Sequence, residues 1–305
     1  MKIKFHYSFM NATSIGEILF DIYPSHKKLG GAPLNFIYHT RKITGSGNIV
    51  SRVGKDVLGT KAISEIKKQE IPTAYIQIDD IHPTGVANIE INEDKEPDFS
   101  IDTERAYDFI ESNDETEELI NYETDVLYFG TLSQRNHKSR ETIQSFFKRG
   151  GKYFCDVNLR QNFYNQEIIR RSIETADIVK VNYNELRILN DLMLGGDYKT
   201  EKAAFELMEQ FEISLLAVTR GKDGATLFEN GKRNDFTPKQ SEIVDTTGAG
   251  DAFSSVLCIG FMRGWELPQL NKNANEFALE ICKVDGALPK ADRIYEELIA
   301  LTNGY

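Results

Sequence analysis

The sequence predicts an α/β protein with a doubly wound, mostly parallel sheet flanked by helices. From about residue 125 onward, short uninterrupted apolar runs alternate with amphipathic segments of helical length. Strands of this kind are buried on both faces, which requires helices on both sides of a parallel sheet. The runs that we predict as strands are 126–129, 153–157, 178–181 and 215–218. Ligands of such sheets bind beyond the carboxyl ends of the strands.

The first third of the chain predicts a small additional β layer. Residues 84–92 alternate, with Ala87, Ile89 and Ile91 on one face, which is typical of a half-exposed strand. A polar turn at 93–97 leads to residues 99–101, which we predict as the hairpin partner. This layer could cover the site as a lid, built from segments near 12–35 and 72–105. Because no long linker divides the chain, residues 1–305 are predicted to form one domain.

The composition excludes several classes of function. The formal net charge is −11 and no block of Lys and Arg occurs, which argues against binding to nucleic acid or to an anionic membrane. The apolar stretches are too short to span a bilayer, and the first residues lack the apolar core of a secretion signal. Three widely spaced cysteines form no metal or disulfide pattern. We therefore expect a soluble, cytoplasmic protein.

The most informative stretch is residues 245–253, which read Asp-Thr-Thr-Gly-Ala-Gly-Asp-Ala-Phe. A glycine-rich turn leads directly into an apolar helix, so backbone N–H groups of Gly248, Ala249 and Gly250 can face one point. The carboxylate of Asp251 beside such an anion site suits the removal of a proton from a hydroxyl during phosphoryl transfer. The alternative is an ordinary helix cap with an acidic residue in its first turn.

Polar residues also follow the other strands. Asp156, Asn158 and Arg160 occupy alternate positions, so they either line one side of a cleft or form a structural network among themselves. Asn182 and Glu185 open the next helix, and they suit a capping box, a site that organises water on Mg²⁺, or both together.

Two glycine-containing turns complete the candidate residues. Thr219, Gly221 and Gly224 follow a strand, where a hairpin turn alone would explain them.

In the N-terminal part, an acid, a double glycine and an amide surround one turn, which suits the pairing of buried polar groups with vicinal sugar hydroxyls. These residues are Asp21, Gly30, Gly31 and Asn35. An ordinary glycine turn with an Asn cap is the alternative.

From Gly16 to Pro289 these motifs resemble, in the same order, the ribokinase-like (phosphofructokinase B-type) carbohydrate kinases. Residues 245–253 are similar to the family's Asp-Thr-x-Gly-Ala-Gly-Asp-x-Phe, and residues 30–39 to the Gly-Gly-Ala-Pro-x-Asn-Phe-x-Tyr-His of the fructokinase subgroup. The resemblance implies a ribokinase-like fold and ATP-dependent phosphorylation of D-fructose to fructose 6-phosphate. The alternatives are a kinase for another small sugar or polyol (ribose, a keto-deoxy sugar acid, a nucleoside) and a catalytically silent sugar or nucleotide sensor.

The resemblance also implies a role for each candidate residue. The catalytic residues that the resemblance implies are Asp251 as the base and the amides of 248–250, which stabilise the developing charge. Arg160 is implied to reach the sugar or the moving phosphoryl group. The residues implied to orient the sugar are Asp21, Gly30, Gly31, Asn35, Asp156 and Asn158. The residues implied to contact ATP are Asn182, Thr219, Gly221, Gly224, Gly248, Gly250 and Asn275, with Ala278 and Cys282 near the base.

Two cations and one protein partner complete the expectations. Glu185 is implied to hold Mg²⁺ through water. The loops around Asp245, Thr247 and Ala287 are implied to bind a monovalent cation, such as K⁺, as they do in relatives. A lid with an exposed sheet face could also pair with a second copy of the chain.

Overall fold

The computed structural model describes residues 10–91, 97–148, 150–239 and 241–303, and within them the chain folds into two β-sheets with α-helices packed around the larger one. The strands are β1 (Ala12–Ile15), β2 (Leu19–Ile22), β3 (Lys27–Gly30), β4 (Asn48–Gly54), β5 (Ile76–Asp79), β6 (Gly85–Ile91), β7 (Pro97–Ile101), β8 (Val126–Gly130), β9 (Lys152–Asp156), β10 (Ile178–Asn182), β11 (Leu215–Thr219), β12 (Ala225–Glu229) and β13 (Lys232–Phe236). The helices are α1 (Ala32–Thr44), α2 (Val57–Lys68), α3 (Asp114–Glu118), α4 (His137–Ser145), α5 (Gln166–Thr175), α6 (Tyr183–Leu189), α7 (Thr200–Phe211), α8 (Ala249–Met262), α9 (Leu267–Cys282) and α10 (Glu296–Asn303).

The large sheet has nine strands in the order β13-β12-β11-β10-β9-β8-β1-β4-β5. Its pairs from β5 through β11 are parallel, and β12 and β13 are antiparallel. The order of the strands reverses between β1 and β8, which is the position where open α/β sheets bind ligands. The predicted doubly wound, mostly parallel sheet is confirmed.

The core lies on both faces of this sheet because its strands are apolar throughout. In β8, Val126 and Tyr128 face one cluster of buried side chains, and Leu127 and Phe129 face the other. Full burial of a large apolar side chain stabilises a fold by about 1.5–3 kcal/mol. In a strand buried on both faces every side chain makes this contribution, whereas in a half-exposed strand only every second side chain does. A period-two pattern is therefore missing from these strands, as the sequence predicted.

The small sheet has four strands in the order β3-β2-β6-β7, with β2 and β6 parallel and the outer pairs antiparallel. In β6, Ala87 and Ile89 are buried while Asn88 is partly exposed, so the predicted alternation is confirmed. The predicted partner strand is β7, and residues 93–96 of the predicted turn lie outside the described residues. All four strands fall inside the predicted lid segments, but β1 and β5 at the margins belong to the large sheet.

Helix α8 starts where the sequence predicts it, directly after the glycine-rich turn. Nine consecutive residues of α8, from 252 to 260, are buried, because the helix packs between α1 and α9. Gly260 permits the close approach of α9, since a Cβ there would lie 2.4 Å from Leu270 Cδ1. In the part of the chain that the structure describes, no helix combines the length and the apolar character needed to cross a bilayer.

Candidate active site

A cavity of 370 Å³ lies at the carboxyl ends of the central strands, with the small sheet as one wall. Residues that follow β1, β8, β9, β10 and β11 line it, together with the start of α1 and the start of α8. The lining residues are Glu17, Leu19, Asp21, Gly31, Ala32, Asn35, Ala87, Ile101, Leu132, Asp156, Asn158, Arg160, Lys180, Asn182, Glu185, Thr219, Thr246, Thr247, Gly248, Gly250 and Asp251. The structure thus brings most of the candidate residues to one place.

Residues 246–250 form the turn that leads into α8, which we call the glycine corner. Gly248 and Gly250 of this corner line the cavity. Gly248 has a φ of 76°, and a Cβ at this position would lie 2.3 Å from Ala287 Cβ, so only glycine fits without strain. The prediction that three amides face one point is wrong for Ala249. Its N–H donates to the Thr246 carbonyl at 3.2 Å, which closes the turn, and Ala249 is not among the lining residues.

Asp251 lies in the first turn of α8, partly buried at the cavity wall. Its Oδ2 accepts a hydrogen bond from Asn35 Nδ2 at 2.8 Å, and among the described residues no cation lies within ion-pair distance of it. Burial raises the pKa of Asp251 to about 7, the charge of Asp156 adds to the rise, and Lys180, Asn35 and Arg160 oppose it. A carboxyl group with this pKa exchanges a proton near neutral pH.

Asn35 connects the start of α1 to Asp251. Gly31 caps α1 with a φ of 114°, and a Cβ there would lie 2.4 Å from the Glu17 carbonyl oxygen. This close approach turns Asn35 toward the cavity, where its side chain is 4% exposed. Asn35 Oδ1 has no hydrogen-bond partner in the described part of the chain. A buried acceptor without a partner is costly, which indicates a ligand donor at this position.

Asp156 is held by an internal network rather than left open to a ligand. Lys180 Nζ lies 2.9 and 2.7 Å from its two carboxylate oxygens, and the hydroxyls of Tyr128 and Ser254 each donate to Oδ2 at 3.0 Å. β9 ends at Asp156 and Asn158 has a φ of 42°, so the three polar residues do not continue an extended strand. Asp156, Asn158 and Arg160 nevertheless all line the cavity, as the sequence predicted. Asp156 therefore lines the cavity as part of an ion pair with Lys180, and its predicted contact with a sugar stays a prediction.

Lys180 and Glu17 are lining residues that the sequence reasoning did not select. Lys180 interrupts the apolar run of β10, and a charge in a buried strand is a signal that could have identified it. Burial alone would lower the pKa of Lys180, but the adjacent Asp156 carboxylate raises it overall. Glu17 follows β1, accepts a hydrogen bond from Ser133 Oγ at 2.5 Å, and has its pKa raised by burial.

Asp21 and Arg160 both line the cavity. Burial raises the pKa of Asp21 to about 6, and the Arg160 guanidinium opposes this rise. Arg160 is exposed to solvent and also lowers the pKa of Asp251, so its charge reaches both carboxyl groups. One solvent-exposed guanidinium therefore influences the charges of both Asp21 and Asp251.

Asn182 and Glu185 form a capping box at the start of α6. Asn182 Oδ1 accepts from the N–H groups of Asn184 and Glu185, and the Glu185 carboxylate accepts from the N–H groups of Asn182 and Leu159 at 2.7 and 2.8 Å. Burial raises the pKa of Glu185. Each carboxylate oxygen keeps a second acceptor position toward the cavity, so the capping role is established and the Mg²⁺ role stays a prediction. No group of three metal-ligating His, Cys, Asp or Glu occurs in the described ranges.

The turn after β11 is the hairpin turn that the sequence offered as one alternative, since β11 and β12 pair antiparallel. Thr219 lines the cavity, Gly221 is exposed on a short 3₁₀ turn, and Gly224 packs against the neighbouring hairpin. Gly224 has a φ of 80°, and a Cβ there would lie 2.0 Å from the Phe236 carbonyl oxygen. Hairpin packing therefore requires glycine at 224, and the nucleotide contacts of Gly221 and Gly224 stay predictions.

Two further candidates point away from the cavity. Gly30 lies within β3 opposite Leu19, packed beside the Asp21 carboxylate, and is not a lining residue. Asn275 is buried in α9, where its amide donates to the carbonyl and the side chain of Asn271, both at 2.8 Å. Neither Asn275 nor the neighbouring Ala278 and Cys282 line the cavity. The predicted sugar contact of Gly30 and the predicted nucleotide contact of Asn275 stay predictions, because neither residue lines this cavity.

Asp245 is paired with a lysine of the small sheet. Lys28 Nζ lies 3.0 Å from Asp245 Oδ2 and 2.7 Å from Asp285 Oδ1. Asp245 also accepts from the N–H groups of Thr247 at 2.9 Å and Gly286 at 3.0 Å. Burial alone would raise the pKa of Asp245, but the hydrogen bonds from Thr247, Lys28 and Gly286 lower it to about 2.

Comparison with known proteins identifies relatives along nearly the whole chain. The sequence model described as pfkB family carbohydrate kinase matches residues 25–292. PH1459 of Pyrococcus horikoshii, described as an uncharacterized sugar kinase, is 28% identical, with 92% of this chain and 93% of that protein covered. Its crystal structure in complex with ATP superposes with a TM-score of 0.80 at 26% identity, covering 94% of this chain and 99% of that one.

Fructokinases are also among the similar proteins. A fructokinase of Escherichia coli is 24% identical, with 81% of this chain and 82% of that protein covered. A fructokinase variant from Vibrio cholerae, solved with fructose, ADP and a potassium ion, has a TM-score of 0.75 at 21% identity, covering 95% and 98% of the two chains. At this identity the superposition shows a shared fold.

Proposed function

The chain belongs to the pfkB family of carbohydrate kinases, and from this premise we propose that it phosphorylates D-fructose with ATP to give fructose 6-phosphate. The observation that carries the proposal is the pairing of Asp251 with Asn35 at the cavity wall. One carboxylate oxygen is held at 2.8 Å by the Asn35 amide, and the other amide atom, Asn35 Oδ1, lacks a donor among the described residues. A sugar hydroxyl has the donor and acceptor that both groups require.

Asp251 is the proposed general base. Its pKa of about 7 lies near the working pH, where proton transfer to a positioned carboxylate is most effective. The Asp251 carboxylate accepts the proton of the sugar hydroxyl as the hydroxyl oxygen attacks the γ-phosphorus of ATP. The bond between that phosphorus and the β–γ bridging oxygen breaks, and the negative charge leaves on ADP.

The glycine corner and Arg160 are the proposed partners of the transferred phosphoryl group. The first turn of an α-helix has N–H groups without intrahelical partners, and Gly248 and Gly250 at the start of α8 line the cavity. Arg160 adds a guanidinium whose planar fork pairs with phosphate oxygens. Because the Gly248 and Gly250 amides belong to the backbone of the turn and of α8, they can stabilise developing charge without reorganisation.

The proposed nucleotide site lies at the ends of β10 and β11. Thr219 and Asn182 line the cavity on this side and are the groups we assign to ATP. Glu185 is the residue that would hold Mg²⁺, through a water that its remaining lone pairs accept. When bound, Mg²⁺ neutralises phosphate charge; the chain itself contributes the capping box that fixes the position of the carboxylate.

The proposed sugar site lies under the small sheet. Asp21, Asn35 and Asn158 present carboxylate and amide groups that suit vicinal hydroxyls, while Leu19 and Ala87 supply an apolar wall. This wall excludes water, which would otherwise compete as the phosphoryl acceptor. The similarity to the fructokinase of Escherichia coli supports fructose over other sugars.

The test is a panel of acceptors with ATP and Mg²⁺, monitored by ADP formation. We expect the highest kcat/KM with D-fructose and phosphorylation at its 6-hydroxyl, identified by NMR of the product. Ribose, a keto-deoxy sugar acid and a nucleoside are the competing acceptors, and a higher kcat/KM for any of them would replace fructose as the substrate. ADP formation without sugar measures hydrolysis, and the Asp251→Asn variant, purified identically, controls for contaminating kinases.

A further inference from the structure

Lys28 connects the small sheet to the loops where the sequence predicts a monovalent cation. It lies in β3, opposite Asp21 in β2, and its ammonium group reaches Asp245 and Asp285 at hydrogen-bond distance. The Lys28 and Asp245 side chains are only 20% and 18% exposed. The ammonium also lies 5.5 Å from the ring centre of Tyr23. Lys28 is therefore enclosed at this position rather than free on the surface.

Asp245, which pairs with Lys28, also binds the backbone on both sides of Gly248 in the glycine corner. Its two carboxylate oxygens bind the N–H groups of Thr247 and Gly286, which lie on the two segments that flank Gly248. Gly248 in turn packs on Ala287, the residue after Gly286. The carboxylate thus joins the two sides of the corner, and a cation must balance its charge because Asp285 and Asp21 are also close.

We propose that the Lys28 ammonium takes the place of a monovalent cation, so that this chain neither binds nor requires K⁺ at the Asp245 loops. The predicted K⁺ does not fit beside Lys28. A second cation within about 4 Å of the ammonium would lose roughly 10²–10³-fold in affinity through repulsion. The position of K⁺ against Asp245 is already occupied by a covalently attached charge.

As a consequence, the small sheet itself supplies the positive charge, on Lys28, that balances the Asp245 carboxylate. Lys28 is a positioning residue, which acts on the phosphoryl site through Asp245 and on the sugar side through the β2–β3 pairing with Asp21. Closure of the small sheet and organisation of the glycine corner are therefore coupled by one side chain. In a protein that uses a free ion, these two events would be independent.

The first experiment measures the wild-type protein. Thermal unfolding is followed in KCl, NaCl and tetramethylammonium chloride at equal ionic strength, without sugar or ATP. We expect no K⁺-specific rise in Tm, and fructose-dependent ADP formation that agrees within about twofold among the three salts. A saturable rise in Tm with K⁺, or activation of about tenfold by K⁺, would overturn the proposal. Because the Tm measurement needs no turnover, it remains decisive even if the proposed substrate is wrong.

The second experiment removes the ammonium. In Lys28→Met we expect kcat to fall by about 10- to 100-fold in tetramethylammonium chloride, the size of one lost charge-assisted hydrogen bond. KCl should restore part of the activity and raise the Tm, because the vacated carboxylates can now bind the ion. Lys27→Met, at an exposed position of the same strand, is the matched control and should resemble the wild type. If both variants behave alike, Lys28 has no such role.

Discussion

Asp156 and Asp251 line the same cavity, but their charges are balanced in opposite ways. Asp156 accepts hydrogen bonds from Lys180, Tyr128 and Ser254, whereas Asp251 accepts from the neutral amide of Asn35. Asp156 thus forms a buried ion pair with Lys180 and is part of the structural framework of the cavity wall. A carboxylate without such an ion pair keeps a proton up to about pH 7 and can exchange it with a substrate.

The difference arises from the elements that carry the two residues. Asp156 ends β9 directly opposite Lys180 of β10, so the parallel register brings the two charges together. Asp251 begins α8 and faces the start of α1, where the side chain in reach is an amide. Strand register therefore builds the framework pair, and the junction of two helices builds the reactive site.

The largest expected effect on catalysis comes from replacing Asp251, the proposed base. Asp251→Asn removes the base but keeps the shape and the contact with Asn35, so kcat should fall by about 10² to 10⁴-fold while sugar binding persists. Steady-state ADP formation and calorimetric titration with sugar measure the two quantities. Near-normal turnover in this variant would exclude Asp251 as the base.

The Lys180–Asp156 ion pair should contribute mainly to the stability of the fold. Replacing one partner, in Lys180→Met or Asp156→Asn, leaves the other charge buried and should lower the free energy of unfolding by about 3–5 kcal/mol. The double variant should lose less than the sum, because no unpaired charge remains. Urea unfolding measures each value, and Asp80→Asn in the exposed pair with Lys55 is the control that should show no change. Additive losses would mean that the two residues do not interact.

Asp251 should also reduce stability at neutral pH. Burial raises its pKa from 3.8 to about 7, so the folded chain binds more protons than the unfolded chain between these values. Stability contributed by this group is complete below pH 4 and is lost as the pH rises through 7. Asp251→Asn should therefore be more stable than the wild type by about 1–3 kcal/mol at pH 8, with no gain at pH 4. A gain at both values would show that protonation is not the cause.

The smallest expected effect is on the pH dependence of catalysis. The value of kcat/KM should fall about tenfold per pH unit below a midpoint near 7, because the protonated Asp251 cannot accept the hydroxyl proton. Asp156 raises the pKa of Asp251 and Lys180 lowers it. The midpoint should thus move down in Asp156→Asn and up in Lys180→Met. Asp79→Asn, in the buried pair with Arg52 at the sheet edge, should leave it unchanged.

Most of the fold and part of the site follow from the sequence. The apolar runs that became β8, β9, β10 and β11 were predicted within one or two residues, since a strand buried on both faces leaves a continuous signal. Motifs that combine glycine with a polar residue identified Asp251, Asn35 and Asp21, which the structure brings to one cavity.

Packing gives a second explanation for two glycines that the sequence suggested as ligand contacts. Gly224 makes room for the Phe236 carbonyl, and Gly30 lies beside Asp21. A glycine is required wherever any atom approaches closely, and the sequence does not record which atom that is. Lys180 and Lys28 were missed because their partners, Asp156 and Asp245, are distant in the chain. Pairing of the lid with a second copy stays a prediction.

The sequence by itself determined the alternation of strands and helices, the glycine-rich turn before α8 and the choice of Asp251 as the proposed base, because these depend on local pattern and residue chemistry. Only the tertiary structure decided which acids are neutralised. Asp156 and Asp245 each meet a lysine from another element, and Asp251 meets an amide. The physical reason is that the ionisation of a buried carboxyl group depends on charges within a few ångströms in space, and sequence separation does not limit that distance.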